Sequence, residues 1–537
     1  MSQDTVTLIA NSGIQFYKFE ATIDSEINKK SSVKFVERYD TKRRKVWFDE
    51  AIYIKKNEVW ARKSELVAKK YITKHGLLIE EIDLEEIELV HEDEIHSIGN
   101  INQSIKFFKN KWIPIPYFKK NNINQDLFGP TDWTRVQFNQ KDETTLEVVL
   151  AIDTRTSKEE ESDTASPFIH ENPNENIFSL CENDDLITSY LDSLFECEWV
   201  EDYIKKIIYK GNPELELEKP FLKHIGQYKF FIKLLQSFDG LPEIHLYSDK
   251  GRSIDVDLVV DIGNSNTCAL LFESPIDSSF DFKKVKKLKI QNLSDPLLSY
   301  NDSFSTKLVF KEAVFGEINN ELNLNNKFAW PSPVRVGKEA INLINDSNIE
   351  LSLTREVKSY NSSPKRYLWD ENPSDSEWEF LLDDIQSPLK RVYIKGISEQ
   401  LNSDGSICTD SVFGSKSLFS RQSLMTFVFV EIFSHVISQI NSFEFRESHG
   451  NIIKSRKLKR IIVSCPTAMI KQEQIALRKA AENAIGITSK YQSKVNNNLD
   501  TNFGEDLPEI IPSSKDAMLD MYNIDKRKDW IYDEATS

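Results

Sequence analysis

The chain has 537 residues, too many for one hydrophobic core, so two to four domains are expected. Hydrophobic residues make up 39% and charged residues 28%, the balance of an ordinary globular protein. A net charge of -17 removes the basic footprint that nucleic acid or an anionic membrane requires of a main partner. Five scattered cysteines (Cys181, Cys197, Cys268, Cys408, Cys465) exclude a disulfide framework and a cysteine-based zinc site, and suit a reducing compartment. The start, Met-Ser-Gln-Asp-Thr, lacks the basic and apolar regions of a secretory signal. The most apolar run, residues 424–433, is interrupted by Thr426 and Glu431 and is shorter than a membrane span. A cytoplasmic location is the expectation.

Residues 1–254 read as a β-rich α+β domain. Residues 5–10 and 14–20 are strands separated by the turn signal Asn11-Ser12-Gly13. Residues 47–55 continue the β character, and residues 64–72 are expected to form a short helix. Residues 80–94 are acidic with regularly placed aliphatics, the pattern of a solvated element face. His91 and His96 stand five apart, whereas the helical zinc-protease motif needs four, so no metal site of protein ligands is expected. Residues 128–136 lead into a strand pair ending at 146–152. Residues 154–176 are polar and read as a loop or linker. Residues 186–209 and 219–238 carry helical apolar spacing, with Tyr203, Phe221, Tyr228, Phe230 and Phe231 as core anchors. No catalytic constellation is visible before residue 250.

Residues 256–267, Val-Asp-Leu-Val-Val-Asp-Ile-Gly-Asn-Ser-Asn-Thr, break a buried β run with turn chemistry, and a second strand resumes from Thr267 to Phe272. Gly263 allows a ligand close to the backbone, while Asn264, Ser265 and Asn266 add amides and side-chain donors, an arrangement suited to an anion. Asp261 suits hydrated Mg²⁺ instead. The order Asp, aliphatic, Gly, three polar residues, Thr, Cys resembles the first phosphate loop of the actin-like ATPases, the DnaK-type chaperones in particular. The resemblance implies that Asp261, Gly263, Asn264, Ser265, Asn266 and Thr267 bind ATP and Mg²⁺.

Residues 280–290 are expected to form a third antiparallel strand. Trp-Pro-Ser-Pro-Val-Arg-Val-Gly (330–337) and Ser-Ser-Pro-Lys-Arg-Tyr-Leu (362–368) follow in the order used by the chaperones. By that resemblance Lys365, with Arg366 beside it, reaches the γ-phosphate and the attacking water. Residues 420–440 read as an amphipathic helix, 459–467 as a buried strand ending at Pro466, and 471–485 as a further helix. The resemblance makes Pro466 a hinge proline. It places Gln474 where the chaperones carry a signalling arginine, which weakens any chaperone-style relay. The final residues, Trp-Ile-Tyr-Asp-Glu-Ala-Thr-Ser (530–537), look like the chaperone segment whose glutamate holds Mg²⁺ through water, which implies that role for Glu534.

Taken together, these motifs and the long N-terminal region are similar to the bacterial virulence factor SrfB family. The resemblance implies large proteins, about twice this length, encoded beside two partner proteins. The expected fold is α/β: the N-terminal domain (1–254), then the first lobe of an actin-like (ribonuclease H-like) ATPase (255–537), incomplete at its C-terminus. Two functions follow as expectations. One is Mg²⁺-dependent ATP hydrolysis, with Asp261, Lys365 and Glu534 in catalytic roles and this chain alone inactive. The other is a non-enzymatic scaffold on a degenerate nucleotide fold.

Overall fold

A computed structural model gives the architecture. It describes residues 5–23, 101–119, 133–156, 176–183, 198–212, 223–248, 251–274, 281–313, 330–347, 358–381, 418–495 and 507–511. It also describes single residues and pairs between them, and the backbone of short strands within 34–97 and at 532–533. The chain is mixed α/β, with several sheets and helices.

In the N-terminal part, β1 (Thr5–Ile9) and β2 (Ile14–Thr22) flank the Asn-Ser-Gly turn, where Asn11 and Gly13 take positive φ. The two strands do not pair with each other. β1 lies parallel to β5 (Glu243–Tyr247), whereas β2 pairs antiparallel with β4 (Thr145–Asp153), itself the antiparallel partner of β3 (Thr134–Gln140). β4 explains how the parts of the chain meet. Its Leu146, Val148, Leu150 and Ile152 enter one core with helices α1 (Ile101–Phe108), α2 (Glu198–Tyr209) and α3 (Lys223–Gln236). The alternate residues Val149 and Ala151 face a second cluster containing Leu293, Phe315, Phe328 and Trp330. Because strand side chains alternate sides, the run 148–152, apolar at every position, is buried on both faces.

The short helix expected at 64–72 is not formed. Strands Leu66–Val67 and Lys70–Ile72 pair antiparallel instead, in keeping with the β-branched and aromatic Val67, Tyr71 and Ile72. Most of the polar stretch 154–176 lies outside the described residues.

The C-terminal part is built on one sheet. β6 (Ile254–Ile262) and β7 (Asn266–Glu273) form the expected hairpin in register Ile262 to Thr267. β8 (Lys286–Lys287) adds beyond β7, and β9 (Arg456–Cys465) lies parallel to β6. β10 (Glu509–Ile511) and β11 (Tyr532–Asp533) lie parallel beside β9. The order is β8-β7-β6-β9-β10, with β7 alone running against the rest. The third strand is shorter than expected. Asp281 caps a single 3-10 turn at Phe282–Lys284, only Lys286 and Lys287 pair with β7, and Ile290–Gln291 leaves for a separate pair.

Helix α4 (Gly337–Ser347) starts at Gly337, whose φ is +71°. Helix α5 (Leu424–Ile440) precedes β9, and α7 (Lys471–Val495) follows it. The amphipathic reading of α5 needs correction. Its polar residues Thr426, Glu431, Ser434 and His435 are buried along with Leu424, Phe427, Val428, Ile432, Val436 and Ile440. α7, β9, strand Val334–Arg335 and helix α6 (Phe443–Ser448) all pack against it, leaving little face for water. Among the described residues no helix is long and apolar enough to cross a membrane.

Candidate functional site

Every parallel strand in this sheet points its C-terminal end the same way, and the turn between β6 and β7 lies at that end. The turn is tight. The Gly263 N–H donates to the Asn266 carbonyl at 2.9 Å, and a Cβ on residue 263 would sit 2.3 Å from that oxygen. Glycine is required by close approach, since no positive φ is involved. Asn264, Ser265 and Asn266 are exposed, while Thr267 is buried. The N–H groups of Asn264 and Ser265 donate to no acceptor among the described residues, so both are available to an anion.

Thr306, which no local pattern marks, ties the turn from behind. Its N–H donates to the Ser265 carbonyl at 2.9 Å, and its Oγ1 donates to the Gly263 carbonyl at 3.0 Å. With that proton committed, the Thr267 hydroxyl donates to Thr306 Oγ1 at 3.0 Å. This anchoring gives the turn one shape rather than an ensemble, which a preorganised donor set requires.

Asp261, the last residue but one of β6, is partly buried and accepts a hydrogen bond from Ser464 Oγ at 2.8 Å. Ser464 sits opposite it on β9. The sequence signal for this contact is Ser464 itself, a polar residue closing the buried run Ile-Ile-Val. Lys365 lies on the short 3-10 turn Pro364–Tyr367, is 4% exposed, and donates its ammonium to the carbonyl of Ile262. Its neighbour Arg366 is exposed, so the Lys-Arg pair is split between interior and solvent. Three of the proposed residues, Asp261, Gly263 and Lys365, thus converge on one end of β6, although about a hundred residues separate Lys365 from the hairpin.

Glu534 lies outside the described residues. The strand just before it, β11, runs beside Ser464 and Cys465, at the same end of the sheet. Pro466 follows β9 directly, and Gln474, on the first turn of α7, donates to the Met469 carbonyl at 2.9 Å. Among the described residues no group of three or more His, Cys, Asp or Glu could hold a metal ion. The donor set suits a cation held by one carboxylate through its waters, next to an anion held by turn amides and an ammonium.

The buried charges elsewhere belong to a separate network. Glu431 on α5 accepts from Arg335 Nη1 at 3.2 Å and from Trp330 Nε1 at 2.9 Å, and His435 Nε2 lies 3.2 Å from it. Burial alone would raise its carboxyl, but Arg335 and His435 outweigh that and hold it below the ordinary value. Glu339 on α4 is pushed up by burial, against Arg335 and the hydrogen bonds from Ser294 and Leu293.

No curated protein matches the chain. A family model described as "Virulence factor SrfB" matches residues 2–514, nearly the whole length, and covers both the N-terminal part and the hairpin site. Membership of that family points to a virulence-associated protein. The chain belongs to the SrfB virulence factor family.

Proposed function

We propose that residues 255–537 form the first lobe of an actin-like (ribonuclease H-like) ATPase, that residues 1–254 form a separate N-terminal domain, and that the β6–β7 turn binds the phosphates of ATP with Mg²⁺. The observation that carries the reading is the buried Lys365 ammonium bonded at the Ile262 carbonyl, beside the phosphate turn and Asp261. The sheet order, with the second strand of the hairpin running against its neighbours, supports the same fold.

In this reading the exposed Asn264 and Ser265 amides donate to phosphate oxygens. Asp261, oriented by Ser464, would help hold Mg²⁺ through its hydration shell. Lys365 exchanges the Ile262 carbonyl for a phosphate oxygen and stabilises charge on the transferred group. Bound Mg²⁺ supplies charge neutralisation and a fixed template for the phosphates. Glu534 would share in holding the cation. Partner proteins and a cytoplasmic setting complete the proposal.

A scaffold reading is favoured by one specific observation. The Lys365 ammonium and the Gly263 N–H both have partners inside the protein. Titration of the purified chain with a fluorescent ATP analogue and Mg²⁺ separates the two. Saturable binding that weakens at least tenfold in Asp261→Ala and in Lys365→Met, with the fold retained by circular dichroism, supports the nucleotide site. Absent binding, or binding equal in all three proteins, leaves the scaffold. Phosphate release measured in parallel shows whether binding leads to turnover.

A further inference from the structure

A cavity of about 640 Å³ lies away from the nucleotide site, where the N-terminal part meets the C-terminal part. One wall comes from β1, β2 and β4, and the other from residues 285–291 and from α5 and α6. β8, which carries Lys286 and Lys287 on the second wall, pairs with β7 at Leu270 and Leu271. That is four to five residues from the hairpin turn, roughly 15 Å along a strand.

The lining combines two chemistries. Val6, Leu8, Phe16 and Phe445 supply an apolar surface. Four lysines, Lys18, Lys286, Lys287 and Lys289, face two glutamates, Glu444 and Glu447, an excess of positive charge in a chain whose net charge is -17. Two of those lysines are neutralised locally. Lys287 pairs with Asp302 at 3.1 Å, and Lys289 with Glu444 at 3.1 Å. Lys18 and Lys286 make no direct ion pair with a carboxylate among the described residues, although Asp295 and Glu444 lie near enough to Lys18 to favour its charge. Lys18, on β2, donates to the Leu297 carbonyl at 3.1 Å, which meets one of its three donor positions. Burial, and then the nearby Lys289, push its ammonium down to about 8, against the opposing pull of Asp295 and Glu444. A half-buried ammonium with donor positions to spare beside an apolar surface gains from a ligand anion.

We propose that this cavity binds an amphipathic organic anion of the acyl- or aryl-carboxylate class, its head group on Lys18 and its apolar body against Val6, Leu8 and Phe445. Because the walls come from both parts of the chain, such a ligand also braces one part against the other, and binding raises the melting temperature by mass action. Pockets for small organic ligands have this character, mostly apolar with a few placed polar groups.

The test is fluorescence titration of the full chain with 11-(dansylamino)undecanoic acid. The cation dodecyltrimethylammonium serves as competitor, and thermal melts are run with and without the acid. Expected are one saturable site, no displacement by the cation, and an upward melting shift that follows occupancy. Lys18→Met should weaken binding at least tenfold. Asn301→Trp, at an exposed position on the cavity lining where no side-chain hydrogen bond is lost, should block entry while leaving the melt of the protein alone unchanged. Asp261→Ala should leave binding intact, which separates this site from the nucleotide site. Non-saturable binding overturns the proposal. So does displacement by the cation, or affinity unaltered in both Lys18→Met and Asn301→Trp.

Discussion

Gly263 and Glu431 show how much a single side chain decides. At residue 263 a methyl group would overlap the Asn266 carbonyl, a backbone atom that cannot swing away. Gly263→Ala should therefore open the turn and cost about 1–3 kcal/mol, a typical overpacking penalty. A lowered denaturant midpoint together with loss of nucleotide-analogue binding is the expected result. Glu431 is 1% exposed and faces Arg335, equally buried. Replacing one member of such a pair leaves the other charge uncompensated, so Glu431→Ala should cost about 3–5 kcal/mol. The sign of its pH dependence follows from the lowered carboxyl. Stability from this group is present above the ordinary glutamate value of 4.5 and is lost as pH falls through the lower folded-state value. Melting curves between pH 7 and pH 3 should show that acid-side loss, and Glu431→Ala should flatten it.

Helix α5 is the element most of the C-terminal core depends on. Phe427 packs edge-on against Phe310 at 5.4 Å and against Phe419 at 5.1 Å, contacts from two other segments. Phe427→Ala should cost about 3–5 kcal/mol, read as a shift of the urea midpoint, because neighbours on several sides cannot all collapse into the void. The 3.6-residue spacing of Leu424, Phe427, Val428 and Ile432 revealed the helix and its inner face. The spacing could not reveal that Glu431 and His435 are buried too. Their partners, Trp330 and Arg335, sit about a hundred residues earlier, and only packing brings them onto α5.

At the scale of the molecule, the N-terminal part is fastened to the C-terminal part by directional bonds as well as by apolar packing. Arg446 on α6 donates to the Thr7 carbonyl on β1, Gln15 donates to the Ser438 carbonyl at 3.1 Å, and Ser438 donates to the Ile14 carbonyl at 2.9 Å. Phe16, Trp112, Phe315 and Trp330 fill the space between. Trp330→Ala removes the ring packed on Phe16 and His435 and a hydrogen bond to Glu431 together. Calorimetry should then resolve two unfolding transitions, against the single coupled transition expected of the parent protein. A single transition merely shifted downward would show that the remaining contacts keep the parts coupled.

The sequence by itself determined the local pieces: the hairpin from its β run and turn residues, α5 from its periodicity, α7 from a composition rich in Ala, Gln, Lys and Glu, and β3 and β4 as a pair. Local sterics and side-chain alternation act within a few residues, so they are written in consecutive positions. It misread 64–72 as a helix, because a short apolar run satisfies either period. Tertiary structure alone decided that Asn11-Ser12-Gly13 separates two sheets instead of closing a hairpin, since each strand finds its partner more than a hundred residues away. It alone brought Lys365 to Ile262, and Thr306 and Ser464 to the turn. Those contacts depend on which segments share a sheet end, a property of chain topology that no short window of residues carries.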